Sequence, residues 1–458
     1  MAILKELDKL FRSQVKKHHV PGASLAVLRN GRIVATAAAG VVNLDTQVKT
    51  TPDSAFQIGS ISKPLTGTLI MQLVDEGALS LDEPVSTYLP EFRIARYDVS
   101  QSVTIRQLLS HTSGIDGDFF VDSGRGDDAI ARLVDKSTMV PSLFNPGAMM
   151  SYCNLGYAVL GRVIEVLRGK SYDQVLLQYL FNPLGMKQAF SRPEDSLRFS
   201  CAVGHVQSTR KPDTWYVSRT PYLTFGQKAA GSTPTMSASD LLSFAQMHLN
   251  KGKSRSGEQI LKSASVKAML KPQVKMQKHS PNAIGNWGLS WFLMNYNGEK
   301  LFGHDGATIG QFAFLRILPE KNMAIAMLTN GGDAKGLYKA MFDELLGSLA
   351  KVTEPELPVP ADRQPNLDTY AGSYENIQSR IDLSVKNGRL MIDVVHKDSG
   401  ISTIPADTSL TFIDKHTARM NSGNPILDRT TALFSGYDGQ DKPEYLQTGL
   451  RQHLRTSS

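Results

Sequence analysis

The distribution of strand-type and helical segments constrains the fold of this chain more than any other feature of its sequence. Strand-type runs lie at residues 23–28 and 32–38, on either side of Asn30-Gly31, a strong hairpin signal. The segment that follows is largely helical, and strand character returns between residues 287 and 329. A single sheet can use all of these strands only if the two ends of the segment meet. The pattern therefore predicts one domain with a shared sheet and helices around it.

Three helices and four later strands have the clearest signals. Residues 4–15 carry apolar side chains at helical spacing, residues 65–74 are apolar nearly all round and predict a buried core helix, and residues 336–349 predict a final helix. Strands are predicted at residues 287–294, 300–302, 310–318 and 323–329.

A proline-rich segment divides the chain. Residues 352–365 contain four prolines, which is typical of a semi-rigid linker. Beyond it, short alternating runs separated by Gly, Asn and Asp turns predict a small all-β domain, a barrel or half-barrel. We therefore expect a first domain at residues 1–351, the linker, and a β domain at residues 366–458.

Composition excludes several classes of protein. Fifty Lys and Arg against 43 Asp and Glu give a net charge of +7 without a run of like charges, so we expect no nucleic-acid partner. Two cysteines exclude a disulfide-rich scaffold and a multi-cysteine metal site. The first residues resemble no signal peptide, and no apolar run is long enough to span a membrane. We expect a cytoplasmic protein with no membrane contact; its oligomeric state stays open.

A serine and a lysine three residues apart stand at the start of the predicted core helix. Residues 56–65 place Ser60 where a strand-like segment turns into the helix, and Lys63 follows one turn later. Positions i and i+3 share a helix face, so the amine can reach the hydroxyl. A serine becomes a nucleophile when an adjacent base takes its proton, and burial lowers the pKa of a lysine toward that role. In isolation, the pattern more often marks a helix cap followed by a surface lysine.

A tyrosine and an asparagine form a second polar motif. Tyr152 and Asn154 precede a helical run, an arrangement that points a phenol and an amide into one cleft. A tyrosine titrates near 10, so it acts as a base only beside a cation such as Lys63. The amide of Asn154 can hold Lys63 or a substrate carbonyl. Alone, Tyr152 is more often a core aromatic residue with a hydrogen-bonded tip.

A third motif, His304-Asp305-Gly306, ends a strand. Glycines flank its polar pair, which indicates a place where the backbone approaches another group closely. A single histidine is unremarkable in itself. On a sheet edge beside a cleft, however, His304 can donate a hydrogen bond to a substrate or to Tyr152.

Together the three motifs resemble those of the penicillin-recognising serine hydrolases, which include class C β-lactamases, D,D-peptidases, D-aminopeptidases and related esterases. The resemblance covers about residues 5–350, in the family's order and spacing. It implies an α/β (α+β) β-lactamase-like domain, with an antiparallel sheet flanked by helices and an all-α subdomain. Residues 367–374 resemble the start of the lipocalin-like β domain that some members carry, which implies a small C-terminal barrel.

The resemblance implies catalytic roles for the first two motifs. Ser60 would be the nucleophile that the substrate acylates. Lys63 and Tyr152 would share the proton transfers as a coupled pair, as base during acylation and as acid toward the leaving group. His304 would complete the catalytic set. No metal or organic cofactor is needed for this chemistry.

The same resemblance implies how the substrate is held. Asn154 and His304 would orient the substrate and the tyrosine hydroxyl. The oxyanion hole would use the backbone N–H groups of Ser60 and of Ala307, the residue that follows Gly306.

The first residue of the third motif narrows the class of substrates that the sequence predicts. Penicillin-binding proteins and most β-lactamases have a lysine there, whose charge holds a carboxylate, whereas this chain has His304. Histidine resembles the D-aminopeptidase-like and esterase branches. We therefore expect a serine hydrolase that cleaves an ester or amide of a small molecule or short peptide, with D-aminopeptidase, D-peptidase or carboxylesterase activity.

Other activities remain open from the sequence. The acyl-enzyme can be intercepted by an amine, as in an acyltransferase or a thioesterase-type peptide cyclase. A β-lactamase or D,D-carboxypeptidase is a further alternative, and so is a non-catalytic binding protein that uses the same cleft. The C-terminal domain either sends a loop over the cleft or merely stabilises the protein.

Overall fold

The chain forms a mixed region of helices and sheet, followed by a β-barrel. The computed structural model describes residues 2–208, 211, 214–276, 284–423 and 427–457. The helical and mixed region extends to Ala350, and the barrel begins at Gly372. Residues 351–366 between them contain no helix or strand. The predicted combination of an antiparallel sheet flanked by helices with a C-terminal barrel is confirmed.

The elements have the following bounds within the described residues. The helices are α1 (Ala2–Lys17), α2 (Ser62–Asp75), α3 (Tyr97–Ser102), α4 (Ile105–Leu109), α5 (Ala129–Asp135), α6 (Asn154–Arg168), α7 (Tyr172–Leu176), α8 (Ala238–Leu249), α9 (Ser263–Met269) and α10 (Ala334–Ala350). The strands of the first region are β1 (Gly22–Arg29), β2 (Arg32–Gly40), β3 (Phe56–Gln57), β4 (Ala189–Phe190), β5 (His205–Gln207), β6 (Trp215–Val217), β7 (Thr235–Met236), β8 (Val274–Lys275), β9 (Ile284–Trp287), β10 (Phe292–Tyr296), β11 (Glu299–Ala307), β12 (Phe312–Leu318) and β13 (Met323–Thr329). The barrel strands are β14 (Gly372–Glu375), β15 (Ser379–Lys386), β16 (Arg389–His396), β17 (Ser409–Asp414), β18 (Thr417–Asn421), β19 (Thr431–Tyr437), β20 (Pro443–Thr448) and β21 (Arg451–Ser457).

The central sheet unites strands from both ends of the first region, as the sequence predicts. Its order is β2-β1-β13-β12-β11-β10-β9-β8 in the described part of the chain, and all of its pairs are antiparallel. The N-terminal hairpin thus lies beside the last strand of the region, with Ala23 opposite Thr329.

Helices cover both faces of this sheet. In β13, Ile325 and Met327 pack with helices α1 and α10 on one face, whereas Ala324 and Ala326 pack with α2, α6 and α8 on the other. This alternation follows from the pleat, which sends successive side chains to opposite sides of a strand. The strand is buried along its whole length, and from Met323 to Leu328 it is continuously apolar because both of its sides face the core.

The predicted core helix is α2, and it is buried from Ser62 to Leu73. It begins three residues before the predicted start, so Lys63 lies in its first turn. The amphipathic N-terminal helix is also present as α1. In the part of the chain that the structure describes, the helices lack the combination of length and hydrophobicity that a membrane span requires.

The expectation of one strand over residues 287–294 is wrong. The chain instead forms a hairpin, in which β9 ends at Trp287, β10 begins at Phe292 and these two residues pair. Ser290 in the connection has a φ of 71°, which a continuous strand does not allow. Because Leu289 and Trp291 are fully buried as well, hydrophobicity continues through the turn and hides it from the sequence pattern.

The second body is a closed antiparallel barrel. Its described strands follow one another in chain order from β14 to β21, and β21 pairs back with β14. Tyr374, Ile381, Phe412 and Phe434 fill the interior. Closure leaves no unpaired sheet edge, which distinguishes this domain from the half-barrel that the sequence also permits.

Polar contacts join the barrel to the first region. Asp116 Oδ2 accepts a hydrogen bond from the backbone nitrogen of Ile377, in the turn between β14 and β15, at 2.6 Å. Burial raises the pKa of Asp116 to about 7; the Ile377 N–H and Lys397 lower it, whereas Asp118 raises it further. The folded protein therefore binds this proton more tightly than the unfolded chain does.

This raised pKa predicts that Asp116 destabilises the fold as the pH rises from about 4 to 7. Asp116→Asn keeps an oxygen for Ile377 without the charge, so the variant should be more stable than the wild type at pH 8, by about 1–4 kcal/mol. The difference should vanish near pH 4. Calorimetric unfolding at both pH values measures it, with the exposed Asp398→Asn as the control. Lower stability of Asp116→Asn at pH 8 would contradict the prediction.

Candidate active site

Ser60 lies on a short helical turn, Gly59–Ile61, between strand β3 and helix α2. Gly59 has a φ of 51°, and a Cβ built on it would lie 2.5 Å from the Ala307 backbone nitrogen. Only glycine permits this combination of backbone angle and close approach. The turn thus presents the Ser60 hydroxyl, half-buried, at the floor of a cleft.

The Lys63 amine is completely buried beside this hydroxyl. Its Nζ lies 3.0 Å from Ser60 Oγ, 2.7 Å from Asn154 Oδ1 and 2.8 Å from the Ala230 carbonyl oxygen. Of these three neighbours only the serine hydroxyl can donate a proton. Burial lowers the pKa of Lys63 well below its ordinary value, and the positive charge of Arg451 lowers it further. The arrangement fits a neutral amine whose lone pair faces Ser60.

Asn154 links the amine to a buried carboxylate. While Oδ1 of Asn154 accepts from Lys63, its Nδ2 donates to Asp118 Oδ1 at 2.6 Å. Since a carboxylate only accepts, this bond fixes which end of the amide faces the lysine. Asp118 in turn accepts from Arg451 Nε at 2.6 Å. Of the two roles suggested for Asn154, the structure therefore shows the contact with Lys63.

Tyr152 is buried over the same amine. Its ring stacks on His111 with centroids 4.2 Å apart, and Lys63 Nζ lies 4.6 Å from the ring centroid. Burial raises the pKa of Tyr152, although a hydrogen bond with Ser60 and the charge of Arg451 oppose this. The phenol is therefore protonated at neutral pH and suits proton donation, with Lys63 as the base. His111 is buried beneath this ring, and its Nδ1 accepts a hydrogen bond from the Cys153 backbone nitrogen at 3.0 Å.

His304 lies in the wall of the cleft, and it is buried. Its Nδ1 bonds to the Asp305 carbonyl oxygen at 2.6 Å, and its ring centroid is 4.2 Å from that of Phe292. Burial and the nearby Lys63 lower the pKa of His304 well below 6.5, so the ring is neutral. The ring centroids of His304 and Tyr152 are 6.3 Å apart, and Nε2 of His304 bonds to none of the described residues. The structure thus shows no hydrogen bond through which His304 would orient the Tyr152 hydroxyl.

The end of strand β11 packs against the turn that carries Ser60. A Cβ on Gly306 would lie 1.9 Å from the Ile58 carbonyl oxygen and 3.0 Å from the Ser60 nitrogen. The glycine is therefore required for the two backbones to meet. This contact brings the backbones of Ser60 and Ala307 close together beside the cleft that both residues line.

The cleft has a volume of about 400 Å³ and mostly apolar walls. Its lining includes Phe120, Leu223, Phe312 and Phe314, together with the motif residues other than Lys63. Leu450 and Arg451 of the barrel also line it.

The barrel reaches the cleft through the hairpin between β20 and β21. The Leu450 carbonyl oxygen accepts from the Tyr152 backbone nitrogen at 2.8 Å, and the Arg451 guanidinium lies 4.7 Å from the Tyr152 ring centroid. Gly449 and Leu450 at the tip have φ values of 54° and 70°, as a two-residue hairpin turn of type I′ requires. A leucine in this region is strained, and such strain persists only where surrounding contacts hold it.

Sequence reasoning missed Asp118 and Arg451. Asp118 lies in a loop without a recognisable motif, and nothing in its neighbours indicates a polar partner. The glycine beside Leu450 signals a turn between strands, but no local pattern shows where that turn docks. Among the described residues, no group of three or more His, Cys, Asp or Glu side chains is placed to hold a metal ion.

The chain matches the β-lactamase family over residues 7–373. Penicillin-binding protein 4 of Amycolatopsis lactamdurans is 43% identical over 366 residues, which cover 78% of this chain and 94% of the relative.

Solved structures extend the similarity to the C-terminal barrel. SurE, solved with D-Leu, has a TM-score of 0.77 and 28% identity, and the match covers 99% of this chain and 100% of SurE. The D-amino acid amidase of Ochrobactrum anthropi, solved with L-phenylalanine amide, matches 74% of this chain and 97% of its own, with a TM-score of 0.62 and 23% identity. This second likeness concerns the fold alone. The chain belongs to the β-lactamase family of serine hydrolases.

Proposed function

We propose that this chain is a serine hydrolase that cleaves an amide or ester bond next to a D-amino-acid residue, through an acyl-enzyme on Ser60. The observation that carries the proposal is the buried Lys63 amine. Its two protons have dedicated acceptors in Asn154 and the Ala230 carbonyl, so its lone pair is directed at the Ser60 hydroxyl. A protein that only binds a ligand has no use for a nucleophile activated in this way.

The steps follow from these positions. Ser60 Oγ gives its proton to Lys63 and attacks the substrate carbonyl carbon, whose π electrons move to the carbonyl oxygen. The N–H groups of Ser60 and Ala307 bind that oxyanion, which typically contributes a few kcal/mol. When the carbonyl reforms, the amine or alcohol leaves with the Tyr152 proton, and Lys63 reprotonates Tyr152. Water then attacks the acyl ester and gives its proton to Lys63. As the bond between Ser60 Oγ and the acyl carbon breaks, Lys63 returns that proton to Ser60 and the acid is released.

The cleft supports a substrate with an apolar acyl group. Aromatic side chains from Phe120, Phe292 and Phe312 line it, and Leu450 narrows it from the barrel side. His304 is neutral, so the position occupied by a lysine in penicillin-binding proteins offers no fixed charge to a carboxylate. The presence of D-Leu in the SurE structure, a match over nearly the whole chain, supports a D-residue as the acyl group.

The first test concerns the nucleophile. A fluorophosphonate probe should add one mass increment to the wild-type protein, and Ser60→Ala should abolish it. Ser62→Ala is the matched control, because Ser62 is fully buried two residues away and its hydroxyl has no partner among the described residues. Intact-mass spectrometry measures both. Labelling that survives in Ser60→Ala would rule out the proposed nucleophile.

The second test concerns the base. Because the pKa of Lys63 is lowered, acylation should be fast already at neutral pH and should slow as the pH falls through that lowered value. Lys63→Met should slow acylation by about 10²–10⁴-fold, while the exposed Lys271→Met should not. Stopped-flow acylation with a nitrophenyl ester from pH 5 to 11 measures this. A rate that rises only between about pH 9 and 11 would instead indicate an ordinary lysine.

The third test concerns the substrate. D-amino-acid amides and nitrophenyl esters should be hydrolysed at least about 10-fold faster than their L counterparts, and a cephalosporin should acylate a smaller fraction of the protein. Product analysis with and without an added amine separates hydrolysis from acyl transfer. A product in which the amine replaces water would make the chain an acyltransferase, and equal rates for the two enantiomers would contradict D-specificity.

A further inference from the structure

A continuous chain of hydrogen bonds connects the Lys63 amine to the barrel. It passes from Lys63 Nζ to Asn154 Oδ1 (2.7 Å), from Asn154 Nδ2 to Asp118 Oδ1 (2.6 Å), and from Asp118 Oδ2 to Arg451 Nε (2.6 Å). The first three members belong to the mixed region and the fourth to the barrel. None of the proposed chemical steps uses Asp118 or Arg451.

The two outer members form an ion pair at the domain interface. The Asp118 side chain is 5% exposed and that of Arg451 is 33% exposed, so the carboxylate depends on this guanidinium for its countercharge. A second Arg451 nitrogen, Nη2, approaches Asp118 Oδ1 at 3.4 Å. The strained tip residue Leu450 holds the hairpin in place through its bond to the Tyr152 backbone nitrogen.

We propose that Asp118 and Arg451 are a positioning pair, contributed by the two domains, which aligns Asn154 with Lys63 and keeps the amine in its proton-accepting form. The barrel is then a part of the catalytic unit and more than a stabilising appendage. This inference rests on the proposed function, because it needs Lys63 to act as the base toward Ser60.

The two charges of the pair shift the pKa of Lys63 in opposite directions. After burial, the positive charge of Arg451 is the largest influence that lowers the pKa of Lys63, whereas Asp118 raises it. Loss of Arg451 alone would leave an uncompensated carboxylate one amide away from the amine, which favours the ammonium form. The other titratable groups around Lys63 are Cys153, Tyr152, Tyr157, His111 and His304.

The neighbouring groups do not replace Arg451 in this role. Burial lowers the pKa of both His111 and His304 well below the ordinary value, so neither carries a charge at neutral pH. Burial raises the pKa of Tyr152, Tyr157 and Cys153, so these three are neutral as well. Asp118 and Arg451 are therefore the charged groups that determine the balance between the amine and ammonium forms of Lys63.

The experiment measures how fast a fluorophosphonate modifies Ser60 in the full-length protein as a function of pH. In Arg451→Gln the midpoint of the pH profile should rise by about one pH unit, because the amine then holds its proton to higher pH. Asp118→Asn should not raise it. The double variant should return the midpoint toward the wild-type value, since both charges are gone.

Two further variants separate positioning from simple stabilisation. Arg451→Lys keeps the charge and should keep the midpoint close to that of the wild type. Arg380→Gln makes the same change in an exposed barrel ion pair, with Asp382, and should leave the midpoint unchanged. Thermal unfolding confirms that each variant is folded at the pH values used, and a merely structural role would change the melting temperature without moving the midpoint.

The outcomes are distinct. A wild-type protein that does not react with the probe would overturn the proposed function. A reactive wild type whose midpoint is the same in Arg451→Gln would overturn the positioning pair alone. The positioning pair would also be overturned if Asp118→Asn and Arg451→Gln shifted the midpoint in the same direction.

Discussion

The burial of the Lys63 amine is the interaction on which the rest of the site depends. Burying an ammonium group away from water costs free energy. The buried site therefore favours the neutral amine. Asn154 and the Ala230 carbonyl then accept its two protons, and Ser60 remains as the neighbour that can give one up. The turn before α2 and the start of α6 each contribute a hydrogen-bond partner of this nitrogen, and the end of β11 packs against that turn.

A second consequence is that the two domains share one site. The strained tip of the β20–β21 hairpin rests on the Tyr152 backbone, and Arg451 reaches the carboxylate that holds Asn154. Leu450 has the left-handed conformation that its turn requires, and its carbonyl oxygen accepts a hydrogen bond from the Tyr152 backbone nitrogen. The same hairpin lines the cleft with Leu450 and Arg451, and in our proposal it influences both the protonation of Lys63 and the space left for a substrate.

Much of the fold follows from local patterns. Periodicity or turn chemistry predicts the hairpin at Asn30-Gly31, the core helix α2 and the alternating strands of the barrel, and the structure contains all of them. The break within residues 287–294 is hidden because the residues on both sides of the turn are buried, and hydrophobicity alone does not distinguish a buried turn from a buried strand. Ser290 is the position where the chain reverses, and serine is not a strong signal for a left-handed backbone.

By itself, the sequence determined the family and the succession of a mixed domain and a barrel, because each motif and each strand pattern behind them consists of residues that are close together in the chain. Tertiary structure alone decided that Asp118 and Arg451 meet. They are separated by 333 residues, and each lies in a loop or hairpin whose local sequence pattern does not predict its partner. An ion pair of this kind forms because two surfaces dock and a carboxylate loses its water there, and docking is a property of the whole fold.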